Sequence, residues 1–225
     1  MSTGARETIL AAIRTALADT PTGTAGDEPP IAREYRTAHV HTGLVDLLAE
    51  NLADYRAHVH RTSPAELPDV IARLLAEHGA TGVAVPNGLP EEWLAAARAA
   101  GIVLTADTPP LSPEVLDQTD SVITGCALAI AETGTIVLDA GPGQGRRVLT
   151  LIPDHHICVI LCPEQVVASV PEAMPKLDPV RPQTWIAGPS ATSDIELDRV
   201  EGVHGPRRLD AVLVVSADEA DPKYD

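Results

Sequence analysis

The feature that most constrains the fold is an alternation of short aliphatic segments with helical ones. Runs rich in Val, Ile, Leu and Ala occupy residues 81–85, 102–104, 156–161 and 209–215. Strands that alternate with helices are typical of βαβ units and of sheets that contain parallel strands. Aromatic residues make up only 2% of the 225 residues and Phe is absent, so we expect an aliphatic core. The pattern predicts an α/β fold.

The amino-terminal segment differs from the rest of the chain. Residues 3–18 place apolar side chains at helical spacing, which predicts an amphipathic helix. Residues 19–33 contain three prolines and few apolar residues, a composition that favours a mobile linker. We therefore predict a helical arm with its flexible linker at residues 1–34 and one α/β domain at residues 35–225.

Three further patterns predict local structure within that domain. Ser63 and Glu66 flank a proline and form a capping-box signature, which begins a helix ending near Gly79. The apolar runs on either side of residues 131–135 predict a β-hairpin. Residues 163–174 are predicted to be helical.

The charge balance excludes some classes of partner. The chain has 32 acidic and 16 basic residues, a formal net charge of −16, so we expect no nucleic-acid partner. The first residues lack the apolar region of a secretory signal, and no apolar run of about 18 residues exists that could span a membrane. We expect a cytoplasmic protein with no membrane span.

Metal-ligating residue types give weak signals. Cys158 and Cys162 lie in an apolar run and, with Cys126, are predicted to be buried thiols; a ferredoxin-type cluster normally needs four cysteines. Two His-Val-His pairs, at residues 39–41 and 58–60, could each hold zinc on one strand face, but no third ligand accompanies them. We expect no metal in this chain.

The first candidate ligand-binding segment is the tight turn of the predicted hairpin. Glu132, Thr133, Gly134 and Thr135 combine a carboxylate, two hydroxyl groups and a glycine, which can present backbone N–H groups and one titratable group to a ligand. A hairpin turn with a solvated Glu132 explains the same residues, and the spacing alone favours it.

The second candidate segment follows a predicted strand at residues 188–196. Ser190, Thr192, Asp194 and Glu196 could lead into a helix N-terminus, where free N–H groups favour a carboxylate or phosphate. The same residues also make ordinary N-caps, and the sequence does not separate the two interpretations.

Two glycine-containing loops add basic residues. His204 and Gly205 precede two arginines, and His204 could donate a proton or orient a ligand; a loop histidine bonded to the backbone is the alternative. Residues 141–147 contain three glycines and two arginines and could bind an anionic group. This loop has neither the Lys-Ser/Thr ending of a Walker A motif nor the GxGxxG pattern.

Taken together, residues 123–138, 147–159, 188–196 and 202–206 resemble the LUD-domain (lactate-utilisation) family. The resemblance implies a three-layer α/β/α fold related to the NagB/RpiA/CoA-transferase group. It also implies a part in the oxidation of L-lactate to pyruvate with iron–sulfur partner proteins. The chain lacks a cysteine-rich cluster-binding extension, so the resemblance implies that the iron–sulfur clusters are on the partners and that this chain binds no cofactor.

The resemblance also makes the motif residues site candidates, although it does not define their individual roles. Glu132 and His204 are the candidate catalytic residues. The candidate substrate-binding residues are Thr133, Gly134, Thr135, Ser190, Thr192, Asp194, Glu196 and Gly205. We expect the segments around Glu132, Asp194 and His204 to line one cleft that binds a small organic acid.

Three functions are compatible with these features. The resemblance and the missing redox ligands favour an accessory subunit of an L-lactate dehydrogenase complex, which binds a hydroxy or keto acid and docks on iron–sulfur subunits. The second is an independent CoA-transferase-like or cyclo-ligase-like enzyme with Glu132 as nucleophile or general base. The third is a regulatory module without a small ligand.

Overall fold

The computed structural model describes residues 3–18, 35–192, 200–201 and 204–216. The chain divides into two compact units, residues 1–35 and 36–225. In the first unit the predicted amphipathic helix is present as α1 (Thr3–Leu17). The predicted linker lies outside the described residues. Among the described helices, none combines the length and apolar content that a bilayer crossing requires.

The second unit alternates helices and strands as predicted. Its described helices are α2 (Leu44–Asp54), α3 (Leu67–His78), α4 (Ala95–Ala99), α5 (Pro113–Asp117) and α6 (Val170–Ala173). Its described strands are β1 (His58–Thr62), β2 (Gly82–Val85), β3 (Val103–Ala106), β4 (Ser121–Thr124), β5 (Leu128–Ile130), β6 (Thr135–Leu138), β7 (His155–Cys162), β8 (Val166–Val167), β9 (Thr184–Ile186), β10 (Ala191–Thr192), β11 (Val200–Glu201) and β12 (Arg208–Val215).

A six-stranded parallel sheet forms the centre of this unit, in the order β1-β12-β7-β4-β2-β3. Helices α3 and α4 pack on one face, where Ile157 and Val212 belong to their apolar cluster. On the other face α2 and a second sheet pack against Cys158, Ile160 and Leu213. Alternate residues of the central strands thus supply both cores, and the predicted three-layer α/β fold is confirmed.

The second sheet has four strands in the order β8-β5-β6-β9. Strands β5 and β6 pair antiparallel, so the predicted hairpin is confirmed. The helix predicted at residues 163–174 is wrong for most of its length, because Val166 and Val167 form β8 alongside β5 and are buried there. β-Branched side chains fit a buried sheet position well, and the helix begins only after Ser169, whose hydroxyl group caps α6.

Local signals define the ends of α3. The Oγ of Ser63 accepts a hydrogen bond from the N–H of Glu66 at 3.4 Å, and the Glu66 carboxylate accepts one from the Ser63 N–H at 3.4 Å. Gly79 follows the helix with a φ of +70°, a conformation that glycine adopts without strain. The reciprocal bonds of the predicted capping box and the predicted helix end are present, but residues 64–66 form a turn and α3 itself begins at Leu67.

Candidate functional site

A cavity of about 220 Å³ lies where β7 and β12 begin, on the face that carries the second sheet. We call it the first cavity. Its lining residues are Arg147, Thr150, His156, Thr184 to Ser190, His204 to Pro206, and Leu209. It differs in position from the usual ligand crevice of an open α/β sheet, which lies at the carboxyl ends of the strands.

Two of the predicted segments meet at the first cavity. The Oγ of Ser190 accepts a hydrogen bond from the N–H of His204 at 3.0 Å, and the Ser190 N–H donates to the Pro206 carbonyl oxygen at 2.9 Å. A Cβ atom on Gly205 would lie 3.7 Å from the Thr150 carbonyl oxygen. The structure therefore brings Ser190, His204 and Gly205 together in one wall.

The rest of the second candidate segment is described only in part. Ala191 and Thr192 form β10, which pairs antiparallel with β11, so a short strand follows Ser190 directly; the helix N-terminus considered for this segment is not tested, because residues 193–199 lie outside the described residues. Asp194 and Glu196 lie outside the described residues.

Arg147 is the cation of the first cavity. Its Nη1 donates to the carbonyl oxygen and to Oγ1 of Thr150, at 3.1 and 3.3 Å, and its Nε and Nη2 have no hydrogen-bond partner among the described residues. No described carboxylate lies within ion-pairing distance of Arg147. By contrast, Arg146, Arg207 and Arg208 each form an ion pair with a described aspartate.

The lack of a described carboxylate partner sets Arg147 apart in a chain whose net charge is −16. Carboxylates are abundant, yet the structure describes none next to Arg147. A guanidinium group offers five N–H donors in a planar fork that matches a carboxylate or phosphate. The first cavity can therefore bind an anionic group at Arg147.

The glycine-rich loop at residues 141–145 contributes little to such binding. The N–H of Gly141 donates to Asp139 Oδ1 at 3.0 Å, and the N–H of Gly143 donates to the Asn87 carbonyl oxygen at 2.7 Å. The N–H of Gln144 donates to the Gly141 carbonyl oxygen. These amides already donate to the protein. Arg147 is therefore the residue of the predicted anion-binding loop that can best bind an anion.

A second cavity, of about 370 Å³, lies next to the first. Both cavities are lined by Arg147, Thr150 and Thr184, so the two cavities are adjacent at these residues. The residues that line only the second cavity are Leu138, Ala140, Gly145, Arg146, Pro182 and Gln183.

The hairpin turn with Glu132 lies outside the lining of either cavity. The Glu132 carboxylate accepts hydrogen bonds from the N–H groups of His39 and Val40, at 2.5 and 3.2 Å, and lies 3.3 Å from His39 Nδ1. The His39 N–H holds the pKa of Glu132 below its ordinary value. The Glu132 carboxylate thus holds residues 39–40 against the turn by hydrogen bonds.

The other residues of the turn also make contacts within the protein. The Thr133 hydroxyl group donates to Thr135 Oγ1 at 2.8 Å. Gly134 has a φ of +57°, and a Cβ atom there would lie only 2.7 Å from the carbonyl carbon of Asn51 in α2. The single cleft expected from the sequence is therefore divided, since Glu132, Thr133, Gly134 and Thr135 do not line the cavity that holds Ser190, His204 and Gly205.

Sequence reasoning missed a buried polar network on the α3 face of the central sheet. The Asp210 carboxylate lies 2.8 Å from His155 Nε2, 2.6 Å from His60 Nε2 and 2.6 Å from Arg208 Nε. An ionised carboxylate only accepts hydrogen bonds, so His155 carries its proton on Nε2 and its Nδ1 accepts from the Ser121 hydroxyl group at 2.8 Å.

The pKa values in this network follow from burial and hydrogen bonding. Burial alone would raise the pKa of Asp210, but hydrogen bonds from His155, His60 and Arg208 lower it well below its ordinary value. Burial lowers the pKa of His155. Although Ser121, His155 and Asp210 form a Ser-His-Asp chain, all three are fully buried, so a substrate cannot reach the hydroxyl group. An aspartate inside the aliphatic run 209–215 was the signal that could have revealed it.

The three cysteines are buried, as predicted. The neighbouring Cys158 thiol, together with burial, raises the pKa of Cys126 well above its ordinary value. Behind the first cavity, His156 Nε2 lies 2.8 Å from Thr124 Oγ1, which fixes the buried imidazole ring. No group of three or more His, Cys, Asp or Glu side chains among the described residues is arranged to hold a metal ion.

Comparison with known proteins agrees with the sequence motifs. The LUD domain matches residues 45–214. A lactate utilization protein C from Deinococcus radiodurans is 50% identical over 169 residues, which cover 73% of this chain and 76% of that protein. A protein of the same name from an Exiguobacterium species is 33% identical over 159 residues, 67% of this chain and 68% of that protein.

A solved structure is also similar. The crystal structure of a DUF162 family protein from Deinococcus radiodurans superposes with a TM-score of 0.64 at 41% identity, and the match covers 76% of this chain and 96% of that one. The resemblance that the motifs indicated is confirmed in sequence and in fold.

Proposed function

The chain belongs to the LUD-domain family, and from this premise we propose that it is a component of a lactate-utilisation system and binds a small organic acid in the first cavity. The relatives named lactate utilization protein C support the role in lactate utilisation. The match covers more than two thirds of these relatives, so the similarity extends over most of the domain.

One observation carries the acid-binding part of the proposal. Arg147 lines the first cavity with Nε and Nη2 uncommitted to any described residue, while its sequence neighbour Arg146 is engaged by Asp107. A carboxylate is the common group of lactate and pyruvate, and it fits the donor fork of a guanidinium group. His204 and Ser190 line the same cavity and can contact the hydroxyl or keto oxygen next to the carboxylate.

The proposal assigns electron transfer to other proteins. Oxidation of lactate to pyruvate removes two electrons and two protons, and an acceptor has to take the electrons. Cys126, Cys158 and Cys162 lie in the aliphatic core of this chain, where they pack as small apolar side chains. We therefore assign iron–sulfur clusters to partner subunits, and we assign the protein to the cytoplasm, where cysteines stay reduced.

The geometry of Glu132 gives no support to an independent transferase or ligase that uses this residue. A nucleophile or general base needs access to substrate, and this carboxylate is occupied by the N–H groups of His39 and Val40. The accessory-subunit proposal needs no such access.

A binding experiment on the purified chain tests the acid site. Isothermal titration and thermal shift with L-lactate and pyruvate are expected to show binding, and CoA and nucleotides are expected to show none. Arg147→Ala is expected to weaken acid binding by about 10- to 100-fold, because it removes charge-assisted hydrogen bonds. Arg98→Ala is the matched control, since Arg98 is exposed and pairs with Glu91 in a different part of the fold.

Two outcomes count against the acid site: neither acid binds to the unaltered chain, or Arg147→Ala binds as tightly as Arg98→Ala. Binding of CoA instead of the acids would favour the transferase-like alternative.

A second experiment tests the partners. Tagged chain purified from lactate-grown cells is expected to bring down iron–sulfur proteins, and deletion of its gene is expected to impair growth on lactate. If the deletion strain grows normally on lactate and the purified chain brings down no iron–sulfur protein, the proposed role is contradicted.

A further inference from the structure

We infer that the ligand of the first cavity is an organic acid with an apolar chain longer than the methyl group of lactate, and that this chain occupies the second cavity. The inference rests on the proposed function, because it takes carboxylate binding at Arg147 as its starting point. It adds a substrate class to that function: 2-hydroxy or 2-oxo monocarboxylic acids with an aliphatic or aromatic side chain.

Arg147 belongs to the wall that the two cavities share. This residue lines both cavities together with Thr150 and Thr184. The two cavities are therefore adjacent at Arg147, and the inferred ligand places its carboxylate on the guanidinium group there. One end of such a ligand can reach His204 and Ser190, and the other can extend into the second cavity.

The polar side chains that line the second cavity alone, Arg146 and Gln183, have partners within the protein. The Arg146 guanidinium donates to both carboxylate oxygens of Asp107 at 2.8 Å and to the Leu111 carbonyl oxygen. Gln183 is engaged at both ends, because its Nε2 donates to the Asp178 carbonyl oxygen and its Oε1 accepts from Trp185 Nε1.

The remaining wall that belongs to the second cavity alone consists of Leu138, Ala140, Pro182 and Gly145. A surface of this kind favours an apolar group, because an additional polar group there would exchange water for no new partner. The first cavity is more polar, because His204 and Ser190 belong to its lining alone, whereas Arg147 lines both cavities. The pair of cavities thus matches a ligand with a polar head and an apolar body.

The two cavities together are larger than a three-carbon acid. A three-carbon acid has six non-hydrogen atoms, and six atoms of about the size of a water molecule occupy less than about 200 Å³. Such an acid fits the first cavity of about 220 Å³ and leaves the second, of about 370 Å³, without ligand. An acid that fills both buries more apolar surface and binds more tightly.

A chain-length series tests the inference on the unaltered protein. Isothermal titration compares lactate, 2-hydroxybutyrate, 2-hydroxyvalerate, 2-hydroxyisocaproate and 3-phenyllactate. The affinity is expected to rise about fourfold for each added methylene group that enters the second cavity. If lactate binds and the longer acids bind equally or more weakly, the inference fails while the proposed function stands. If no acid in the series binds, the proposed function itself fails.

A variant locates the apolar chain. Gln183→Trp adds bulk to the second cavity and is expected to bring the affinity ratio of 2-hydroxyisocaproate to lactate close to one. Val180→Trp is the matched control, because Val180 is 90% exposed and lines neither cavity; it is expected to keep the ratio of the unaltered protein. An unchanged ratio in a folded Gln183→Trp protein would overturn the assignment of the second cavity. If this variant does not fold, the chain-length series still tests whether longer acids bind more tightly than lactate.

Discussion

The Asp210 carboxylate accepts a hydrogen bond from Nε2 of His155 at 2.8 Å, in a place where neither side chain is exposed to solvent. The two residues lie on the adjacent strands β12 and β7 of the central sheet. His155 in turn accepts from Ser121 on β4, and Asp210 also contacts His60 on β1. One buried carboxylate therefore connects four neighbouring strands of the sheet.

Removal of this carboxylate is expected to be costly. Asp210→Ala leaves the partly buried Arg208 guanidinium and the buried His155 ring without their acceptor, so we expect a loss of about 3–5 kcal/mol in the free energy of unfolding. Urea denaturation measures the loss. Asp154→Ala is the control: Asp154 pairs with Arg207 at the surface, and its removal is expected to cost at most about 1 kcal/mol. Equal losses in the two variants would show that the network does not stabilise the sheet.

The same network predicts how stability depends on pH. The pKa of His155 is lowered in the fold, so between that pKa and about 6.5 the unfolded chain binds a proton that the folded chain does not. Stability is therefore expected to fall as the pH drops below about 6.5, by at most about 1.4 kcal/mol per pH unit for this one group. The pKa of Asp210 is also lowered, so its contribution is present above about 3.9 and is lost as the pH falls further.

Urea denaturation between pH 7 and pH 4 measures this dependence. His155→Gln is expected to flatten the part of the curve between pH 6.5 and pH 5, since glutamine does not titrate. A His155→Gln curve parallel to that of the unaltered protein would mean that another group causes the loss.

Features encoded by adjacent residues were predictable from sequence. The capping box of Ser63 and Glu66, the turn at Gly79 and the β5–β6 hairpin each depend on residues a few positions apart, and each is present. The error at residues 163–174 has a tertiary cause, because β8 exists only through its pairing with β5. Propensity along the chain does not encode such a partner.

The candidate site was only partly predictable for the same reason. The motifs indicated Ser190, His204 and Gly205, which lie together, but they also indicated Glu132, whose partners are the distant N–H groups of His39 and Val40. Whether Arg147 can bind an anionic ligand depends on whether a carboxylate of the protein lies next to it. The packing of the fold decides which carboxylates do. A sequence shows that a residue is charged, whereas its ion-pair partners appear only in the fold.

A variant of Glu132 separates a structural role from a catalytic one. Glu132→Ala removes the acceptor for the N–H groups of His39 and Val40, so hydrogen exchange of these two amides is expected to become faster. Glu132→Gln retains one carbonyl acceptor and is expected to have a smaller effect, because a neutral acceptor makes weaker hydrogen bonds. Hydrogen exchange followed by NMR measures both. Unchanged exchange in Glu132→Ala would show that the carboxylate does not hold this segment.

The close approach of the hairpin turn to α2 predicts the effect of a single methyl group at Gly134. Gly134→Ala meets two penalties: a φ of +57°, which costs an L-residue about 1–2 kcal/mol, and a Cβ atom 2.7 Å from the Asn51 carbonyl carbon, where backbone has to move. We expect a total loss of about 2–5 kcal/mol in the free energy of unfolding, measured by urea denaturation. Gly101→Ala is the control, because Gly101 has a φ of +82° and nothing within 4 Å of the added Cβ, so only the conformational cost applies. The close approach to Asn51 is what distinguishes Gly134 from Gly101. If both variants lose the same stability, the contact between the turn and α2 is looser than the structure indicates.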